Sequence, residues 1–451
     1  MKQHKRRLEI LSFYDSTGIT AHLEAMAQKG WALEKISNNV WHYRRVEPTA
    51  LGYSVVYLPS SSEFDPGPTA ESQELQEFCA RAGWVQVANQ AQMHIFRNLD
   101  PHAVPIDTDP ELQIGVIHKA MKKNFLPSQF LMLFLGILQL VLLSVRVNID
   151  PIGFLSQNAN LVNILCWCTI IAMSVVDLAK YFLWRTMALE KAREGEFLPT
   201  KGSQKFQKFC LILVLGCFFL WLASTADPRE GTMVGISFLL MTLLIVTLFG
   251  IKNTMKKRGA SAGITRTVFI IMTLVLSGTM VVGLTFAAIQ IVNSDRFQPE
   301  VETYEWNGLT FELHHDEIPL ELADLMDTGD TVFSTQLFRH HSLLLTHVSA
   351  SQDPKLGEDF EAVLGYNIYD VHFPPLKQLV RENMTRYYND EGDAFLPVEL
   401  EIPGVQISRH YLFGEPWNTL LLDYGSRYVL LHPGWEMTPE QIQTAAQILA
   451  P

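Results

Sequence analysis

The chain has 451 residues, 48% of them hydrophobic, and this length suits two or three domains. Its net charge of −12 is unevenly distributed over three segments. Residues 1–127 include 13 basic and 14 acidic residues, residues 128–292 include 14 basic and 7 acidic ones, and residues 293–451 include 8 basic and 26 acidic ones. The near-neutral first third argues against a nucleic-acid-binding surface. The last third contains no cysteine, which excludes a disulfide-stapled domain there.

The first 110 residues predict an α+β domain built from two strand-helix-strand-strand units. In the first unit, alternating apolar and polar residues predict a strand over Leu8–Tyr14, and a helix then ends at Gly30. Two strands follow, over Trp31–Ser37 and Val40–Val46, joined at Asn38-Asn39, a pair that tolerates the left-handed turn conformation. No apolar stretch follows the basic start, so no secretory signal peptide is expected.

The second unit has the same order of elements. A strand is predicted over Gly52–Leu58, and a loop rich in Ser, Pro and Gly follows over Pro59–Pro68. A helix then ends at Gly83, and two strands are predicted over Trp84–Ala88 and Gln92–Arg97.

The two units align without a gap when Gly30 is placed on Gly83, which predicts an internal repeat. The matched residues are Trp31 with Trp84, Tyr43 with Phe96, and Arg44 with Arg97. Each Trp directly follows a helix end, so it is expected to pack the helix onto the sheet. The alternative is an aromatic-lined groove between the units that binds a planar or apolar ligand. Its candidate residues are Trp31, Trp84, Tyr43 and Phe96.

The segment from Phe13 to Leu99 contains the stretches HLEAMAQKGWALEKI, YSVVY, EFCARAGWVQV and HIFRN. In these stretches it resembles the domain of unknown function family 2812, found in membrane proteins of Gram-positive bacteria. The resemblance implies a membrane-anchored protein in a regulatory or sensory setting. It also implies a PadR-like transcription regulator as a partner, because members are often encoded beside such regulators. It brings no catalytic residues.

The middle of the chain, residues 128–294, is predicted to be the transmembrane region, after a juxtamembrane segment at 111–127. It holds five apolar runs, each able to reach the roughly 17–25 residues that cross a hydrocarbon core. They predict a five-helix bundle over residues 126–146, 161–184, 207–226, 231–251 and 267–292. Asp177 and Lys180, near the end of the second run, are expected to have a structural role at the membrane interface, by pairing or by snorkelling.

Lys and Arg concentrate in the connections at 185–208 and 251–266, whereas the alternate connections hold almost none. This bias predicts a multi-pass protein of the cell membrane with a cytoplasmic N-terminus and with residues 295–451 outside. The lipid bilayer is thus an expected partner, and no direct binding of nucleic acid is expected. The spans contain few ionisable residues, a pattern that does not resemble a transporter pathway.

Residues 295–451 predict a separate, acidic α+β domain. Asn307-Gly308 favours a type I′ hairpin turn, and Thr438, Pro439 and Gln441 predict the capped start of a last helix. Further strands are predicted over residues 331–338, 342–349, 362–371, 406–413, 419–424 and 427–432, and helices near 320–326 and 375–388.

Two groups of histidines in this domain raise the question of a metal site: His314-His315, and His340-His341 with His347. Adjacent residues on a strand point to opposite faces, so an ion would need one His from each group. We expect these histidines to be polar residues of the surface that bind neither a metal nor a cofactor. The sequence lacks a nucleophile elbow, a His-Glu-x-x-His helix and a phosphate-binding glycine loop, so an enzyme is not expected.

Two classes of function remain open from the sequence. The preferred one is a non-enzymatic sensory or regulatory membrane protein that couples an outer domain to a cytoplasmic domain through the bilayer. The alternative is a small-molecule-binding or transport-accessory membrane protein, with its ligand in the groove between the two repeated units.

Overall fold

The structure is a computed structural model that describes residues 3–37, 40–224, 228–292, 294, 302–386 and 394–451. The predicted Asn38-Asn39 turn lies outside the described residues. Contacts divide the chain into two units. Unit 1 contains residues 1–139 and 165–293, and unit 2 contains residues 140–164 and 294–451.

Unit 1 begins with a domain, here called the N-terminal domain, that contains two antiparallel sheets of three strands each. The first sheet is formed by β1 (His4–Leu8), β2 (Trp31–Ser37) and β3 (Val40–Arg45), and the second by β4 (Gly52–Tyr57), β5 (Val85–Gln90) and β6 (Met93–Asn98). In both sheets the last strand lies at the centre, in the orders β1-β3-β2 and β4-β6-β5. Helix α1 (Ser16–Gln28) precedes β2, and α2 (Ala70–Arg81) precedes β5.

The two halves also share local details. Gly30 and Gly83 follow α1 and α2 with the same φ of 78°, a left-handed conformation that glycine adopts without steric cost. The pairing of β2 with β3 shifts register at Glu34, and the pairing of β5 with β6 shifts at Val87. Both pairs of positions are 53 residues apart. The halves therefore have the same element order, strand order, helix end and bulge.

The predicted strand over Leu8–Tyr14 is wrong, because β1 ends at Leu8 and residues 9–15 form a loop. The alternation in this stretch has another physical cause. Leu11 and Phe13 pack against the domain core from the loop, and Tyr14 is fully buried within that core. Asp15 at the end of the loop caps α1 by accepting a hydrogen bond from the amide of Gly18 at 3.0 Å.

Seven helices follow the sheets within the described chain. They are α3 (Pro110–Lys123), α4 (Phe125–Ile149), α5 (Pro151–Leu155), α6 (Asn158–Arg193), α7 (Gln204–Ser224), α8 (Pro228–Lys257) and α9 (Ala262–Val292). By length and composition, four of the described segments can cross a membrane: Phe125–Ile149, Asn158–Arg193, Gly231–Lys257 and Ala262–Ile291. These four candidate spans support a membrane protein.

The prediction of five spans is wrong on this count, because the run predicted at 207–226 is not among the four. This run forms α7, whose first turns carry Lys205, Gln207 and Lys208. Its described apolar part begins at Phe209 and ends with the helix at Ser224, which corresponds to about 24 Å at 1.5 Å per residue. That length falls short of the roughly 30 Å of a hydrocarbon core.

The core of the N-terminal domain extends beyond its own sheets. Ile114 and Ile117 of α3 are buried in it, together with Tyr181, Trp184 and Ala188 of α6. Burying these residues removes apolar surface from water, which stabilises folding by about 25 cal/mol per Å². The domain is thus completed by a membrane helix and is not a separately packed body.

Unit 2 contains the C-terminal domain, which starts with the hairpin of β7 (Glu302–Trp306) and β8 (Leu309–Leu313). Asn307 and Gly308 at the turn have φ values of 51° and 79°, as the predicted type I′ turn requires. A seven-stranded antiparallel sheet in the order β12-β13-β14-β15-β11-β10-β9 forms its centre. The strands are β9 (Phe333–His341), β10 (Leu345–Pro354), β11 (Leu364–Val371), β12 (Ala394–Pro397), β13 (Gln406–Leu412), β14 (Glu415–Asp423) and β15 (Arg427–Pro433).

Helices cover both faces of this sheet. On one face α11 (Pro439–Ile448) buries Ile442 and Ala446 against strand residues such as Leu431. On the other, α10 (Lys377–Met384) and α5 pack against strand residues such as Leu430. Adjacent residues of β15, Leu430 and Leu431, thus pack on opposite faces of the sheet, as strand geometry requires.

The predicted cap of the last helix is confirmed. Thr438 Oγ1 accepts a hydrogen bond from the amide of Gln441 at 3.3 Å, and the amide of Thr438 donates to Gln441 Oε1 at 2.9 Å. Six strands of the sheet lie where the sequence predicts them. Strand β12 was not predicted, because it has four residues at the sheet edge and a short edge strand carries a weak periodic signal.

Candidate functional site

Helix α6 contributes residues to both units. At its beginning, in unit 2, the amide of Leu343 donates to Asn158 Oδ1 at 3.0 Å. Next to it, Ser342 Oγ donates to the carbonyl oxygen of Leu155 at 2.5 Å, which ties the connection before α6 to the C-terminal domain. Toward its end, in unit 1, Tyr181 and Trp184 are buried in the core of the N-terminal domain. One helix of 36 residues, about 54 Å long, is therefore hydrogen-bonded to the C-terminal domain at its beginning and buried in the core of the N-terminal domain toward its end.

A cluster of buried polar residues surrounds the second half of α6, and we call it the polar joint. It consists of Ser12 and Asp15 from the β1–α1 loop, Asp177 from α6, and Thr200, Ser203 and Gln207 from the α6–α7 connection and the start of α7. Asp15 is 2% exposed and accepts hydrogen bonds from Thr200 Oγ1 at 3.0 Å and from the amide of Gly202 at 2.9 Å. The β1–α1 loop is thereby fixed to a segment about 185 residues later.

Asp177 holds the other side of the polar joint. It is 4% exposed and accepts a hydrogen bond from Gln207 Nε2 at 2.5 Å and another from Ser203 Oγ. Gln207 Nε2 also donates to Ser12 Oγ at 3.3 Å, so it connects α7 to both the N-terminal domain and α6. Of the two roles expected for Asp177 and Lys180, the described chain shows no ion pair between them: Lys180 is exposed and donates to the carbonyl oxygen of Gly202 at 3.4 Å.

Hydrogen bonds alone compensate for the burial of these carboxyl groups. Within the described chain, neither Asp15 nor Asp177 forms an ion pair. A buried carboxyl group that loses a hydrogen-bond donor cannot replace it with water. Its position therefore depends on the geometry of its donors in the protein. The polar joint therefore acts as a stiff connection between the N-terminal domain and α6.

Unit 2 contains a cavity of about 430 Å³ between the sheet and the connection from α4 to α6, and we call it the histidine cavity. Its polar lining includes Asp150, His340, His347, Asn367, Arg386 and His432. His340 and His347 are directly paired across β9 and β10, which places them on the same face. Asp150 is fixed by capping α5, since its Oδ1 accepts from the amide of Gly153 at 2.8 Å.

Two imidazole groups in the histidine cavity, those of His347 and His432, are partly buried, whereas that of His340 is exposed. The ring of His347 stacks on that of Tyr369 at 4.8 Å between centroids, and its Nε2 lies 3.2 Å from Asn367 Oδ1. Burial lowers the pKa of His347, although the hydrogen bond with Asn367 opposes this shift, and burial also lowers the pKa of His432. Both are neutral near pH 7, so the cavity suits a small polar molecule.

The histidines predicted from the sequence do not converge. His314 Nε2 lies 3.3 Å from Glu312 Oε2, and His315 Nε2 lies 3.2 Å from Glu302 Oε2, whereas His340 and His347 line the cavity. Among the residues that the structure describes, no group of three or more His, Cys, Asp or Glu side chains is arranged to hold a metal ion.

Three of the four aromatic residues proposed for a ligand groove are buried. Tyr43 and Phe96 have no exposed surface, and Trp84 is 4% exposed with its Nε1 donating to the carbonyl oxygen of Val104 at 3.1 Å. Trp31 is half-buried, with Arg45 Cζ 5.1 Å from its ring centroid. These positions favour packing for Tyr43, Phe96 and Trp84, whereas ligand binding by the four residues stays a prediction.

An apolar cavity of about 330 Å³ does lie between the two halves of the N-terminal domain. Its lining includes Leu8, Leu11, Phe13, Ile19, Trp41 and Met93. Sequence reasoning missed Trp41, because it compared residues that are alike in the two copies. The available signal was a difference: the position 53 residues later is His94.

Together these features support a membrane protein with four candidate spans and with β-sheets in both units. Residues 16–128, from the start of α1 into the first turn of α4, match the model of a family described as protein of unknown function (DUF2812). The resemblance inferred from the sequence is thereby confirmed over about a quarter of the chain. Neither a curated protein nor a solved structure matches the chain.

Proposed function

We propose that the protein is a non-enzymatic sensory or regulatory membrane protein, in which α6 couples the C-terminal domain to the N-terminal domain. The observation that carries this proposal is that α6 is anchored at both ends, by a hydrogen bond of Asn158 with the C-terminal domain and by burial of Tyr181 and Trp184 in the core of the N-terminal domain. A rigid helix with a packed or hydrogen-bonded partner at each end transmits a shift at one end to the other. The histidine cavity, next to the start of α6, would receive the signal.

The proposal includes a cytoplasmic N-terminal domain and an extracytoplasmic C-terminal domain in the cell membrane. The basic α6–α7 and α8–α9 connections favour the cytoplasm. The α6–α7 connection also contacts the N-terminal domain through Thr200 and Asp15, and the last turns of α8 contact it through Lys252 and Glu63. Four crossings alone would place both domains on one side of the membrane, so a tag-accessibility assay at both ends of the chain tests this orientation directly.

A hydrogen-exchange experiment on the full chain in lipid nanodiscs tests the coupling. Ser342→Ala and Asn158→Ala each remove a contact at the start of α6. We expect faster amide exchange in unit 2 and also in the N-terminal domain around Trp184. Thr444→Ala is the matched control, because it removes a hydrogen bond on α11 away from α6.

A second variant separates transmission from local damage. Replacing Ala172 and Met173 with glycine softens the middle of α6, since glycine costs about 1 kcal/mol per residue in a helix. Combined with Ser342→Ala, it should confine the faster exchange to unit 2. Exchange that stays within unit 2 in the Ser342→Ala protein itself would refute the coupling.

The apolar cavity supports a second candidate function, the binding of an apolar small molecule by a transport-accessory protein. Trp41 lines this cavity, so its fluorescence reports the binding of a ligand there. Titration of the full chain with apolar compounds should quench fluorescence in the wild type, and the quenching should disappear in Trp41→Phe but persist in Trp31→Phe. Equal quenching in all three proteins would exclude this site.

The proposed partner on the cytoplasmic face is a PadR-like regulator, an expectation that comes from the family resemblance. Proximity labelling from the N-terminus in the native host tests it. Labelling of a transcription regulator above the level found with an unrelated membrane protein supports the partnership, and its absence contradicts it.

A further inference from the structure

A third cavity, of about 240 Å³, lies in unit 1 and is lined almost wholly by polar groups, so we call it the polar cavity. This volume is many times what one water molecule needs, so the cavity has room for a larger polar molecule. The lining includes Ser61, Ser62, Asp65, Thr69, His94 and Lys256. These residues come from the loop between β4 and α2, from β6 and from the end of α8.

The polar cavity lies beside the exit of a membrane span. Lys256 is the penultimate residue of the candidate span Gly231–Lys257, and its Nζ donates to the carbonyl oxygen of Glu63 at 3.0 Å. Phe64 packs on Phe269 of α9 at 5.6 Å between ring centroids. Membrane interfaces hold lipid headgroups at this depth, so a headgroup is within reach of the cavity.

The buried side chain of His94 is a candidate contact for a ligand. It has no exposed surface and lines the polar cavity, and its Nε2 lies 3.1 Å from Ser61 Oγ. Among the described residues, its Nδ1 has no hydrogen-bond partner. A buried polar atom without a partner costs about 1–3 kcal/mol, a cost that a water molecule or an ion bound beside it would reduce.

Several donors converge on the same cavity. Helix α2, with 12 residues, begins there: its cap Thr69 and its residue Ser72 both belong to the lining. The first amides of a helix lack partners within the helix and attract anions. The hydroxyl groups of Ser61 and Ser62 and the ammonium group of Lys256 add further donors for phosphate oxygens.

The charges of the lining indicate a ligand with both signs. Lys256 is the basic residue of the lining and Asp65 the acidic one. Asp65 Oδ2 accepts from the amide of Ser62 at 2.6 Å, which leaves its other oxygen for a cation. A simple anion gains from Lys256 but is repelled by Asp65, whereas a phosphate that carries an ammonium group is attracted to both.

We propose that the polar cavity binds the phosphoethanolamine group, with the phosphate near Lys256, His94 and the start of α2, and the primary ammonium near Asp65. This site is independent of the coupling through α6. Two sources carry the same chemistry, a phosphatidylethanolamine headgroup and soluble phosphoethanolamine.

The test titrates the full chain in detergent with short-chain phosphatidylethanolamine, phosphatidylcholine and phosphatidylglycerol, with soluble phosphoethanolamine and with inorganic phosphate. Ligand binding to the folded state raises the unfolding temperature and so gives an apparent Kd. We expect phosphatidylethanolamine to bind about tenfold more tightly than phosphatidylcholine, because a quaternary ammonium has no N–H for Asp65. Binding of the soluble compound alone assigns the source as soluble, and binding of the lipid alone assigns it as the membrane.

Three variants complete the test. Lys256→Gln should weaken binding of phosphatidylethanolamine about tenfold through the loss of a charge-assisted hydrogen bond. Asp65→Asn should abolish the preference over phosphatidylcholine, and Lys257→Gln, an exposed neighbour outside the lining, should bind like the wild type. Equal binding of phosphatidylglycerol or of inorganic phosphate would overturn the ammonium position. Equal binding by the Lys256→Gln and Lys257→Gln proteins would overturn the site.

Discussion

Trp41 and His94 occupy equivalent positions in the two halves of the N-terminal domain and line cavities of opposite character. They are 53 residues apart, on the central strands β3 and β6, and they pair with Ile36 and Asn89, which are equivalent in the same way. Trp41 lines the apolar cavity and His94 lines the polar cavity. The two halves thus have the same order of elements and differ where their central strands face a cavity.

The buried imidazole of His94 predicts a pH-dependent stability. Burial lowers its pKa to about 4 from the ordinary value of 6.5. As the pH falls below 6.5, the unfolded state binds the proton first, so the stabilisation that is complete above pH 6.5 is lost progressively down to pH 4. A difference of this size corresponds to about 3 kcal/mol.

Chemical unfolding of the full chain in detergent, followed between pH 7 and pH 5, measures this loss. The His94→Asn protein should be less stable at pH 7 but should show a smaller fall with pH. His102→Asn, at an exposed position, should keep the slope of the wild type. Parallel curves for the wild type and His94→Asn would show that the imidazole titrates normally in the folded state.

The two glycines after α1 and α2 should differ in their tolerance of alanine. Both have a φ of 78°, which strains any other residue by about 1 kcal/mol or more. A Cβ on Gly30 would meet the carbonyl oxygen of Val46 at 2.9 Å, whereas one on Gly83 would meet the Asn98 side chain at 3.3 Å. Gly30→Ala should therefore destabilise more than Gly83→Ala.

Gly115, in α3, provides the comparison for these two glycines. A Cβ there has no neighbour within 4 Å, and alanine is favoured over glycine within a helix by about 1 kcal/mol, so Gly115→Ala should stabilise. Unfolding temperatures of the three variants decide the order. An equal loss for Gly30→Ala and Gly83→Ala would show that the backbone at Val46 moves aside.

Local signals in the sequence account for much of the fold. The Asn307-Gly308 turn, the Thr438 cap and the glycine after each N-terminal helix depend on a few neighbouring residues, and each was predicted correctly. The polar joint was not predictable, because Asp15 and Thr200 are 185 residues apart and neither lies in a recognisable motif. The difference between Trp41 and His94 was visible in the aligned copies, but its meaning depends on cavities that long-range packing creates.

The polar joint should respond strongly to the loss of a single donor. Gln207→Leu removes the hydrogen bonds to Asp177 and Ser12 while nearly preserving the side-chain volume. Because a hydrogen bond to a charged group contributes about 1.5–3 kcal/mol, we expect a loss of stability in this range. Gln378→Leu, at an exposed site on α10, should cost less than about 0.5 kcal/mol.

Hydrogen exchange of the same Gln207→Leu protein measures the local effect of the substitution. Hydrogen exchange should accelerate in the β1–α1 loop and in the α6–α7 connection, because Gln207 holds both to α6. Asp177→Asn in the same background should restore part of the stability, since a neutral amide is less costly to bury without a donor. Additive losses for the two substitutions would show that Gln207 and Asp177 do not act together.

Arg427 should not tolerate replacement by lysine. Its Nε and Nη2 donate to the two carboxylate oxygens of Asp370 at 2.6 and 3.0 Å, and its Nη1 donates to the carbonyl oxygens of Leu449 and Ala450 at 3.2 and 2.7 Å. One guanidinium group thus connects β11 and β15 to the end of α11. Lysine can replace one of these contacts but not the bidentate geometry, so Arg427→Lys should destabilise the C-terminal domain by about 2 kcal/mol.

Arg381→Lys is the control for Arg427→Lys. Arg381 contacts Asp423 at 3.6 Å from an exposed position, so this substitution should change stability by less than about 0.5 kcal/mol. Hydrogen exchange of α11 in both variants provides the measurement, and equal protection of α11 in the two proteins would show that the apolar face of this helix suffices to hold it.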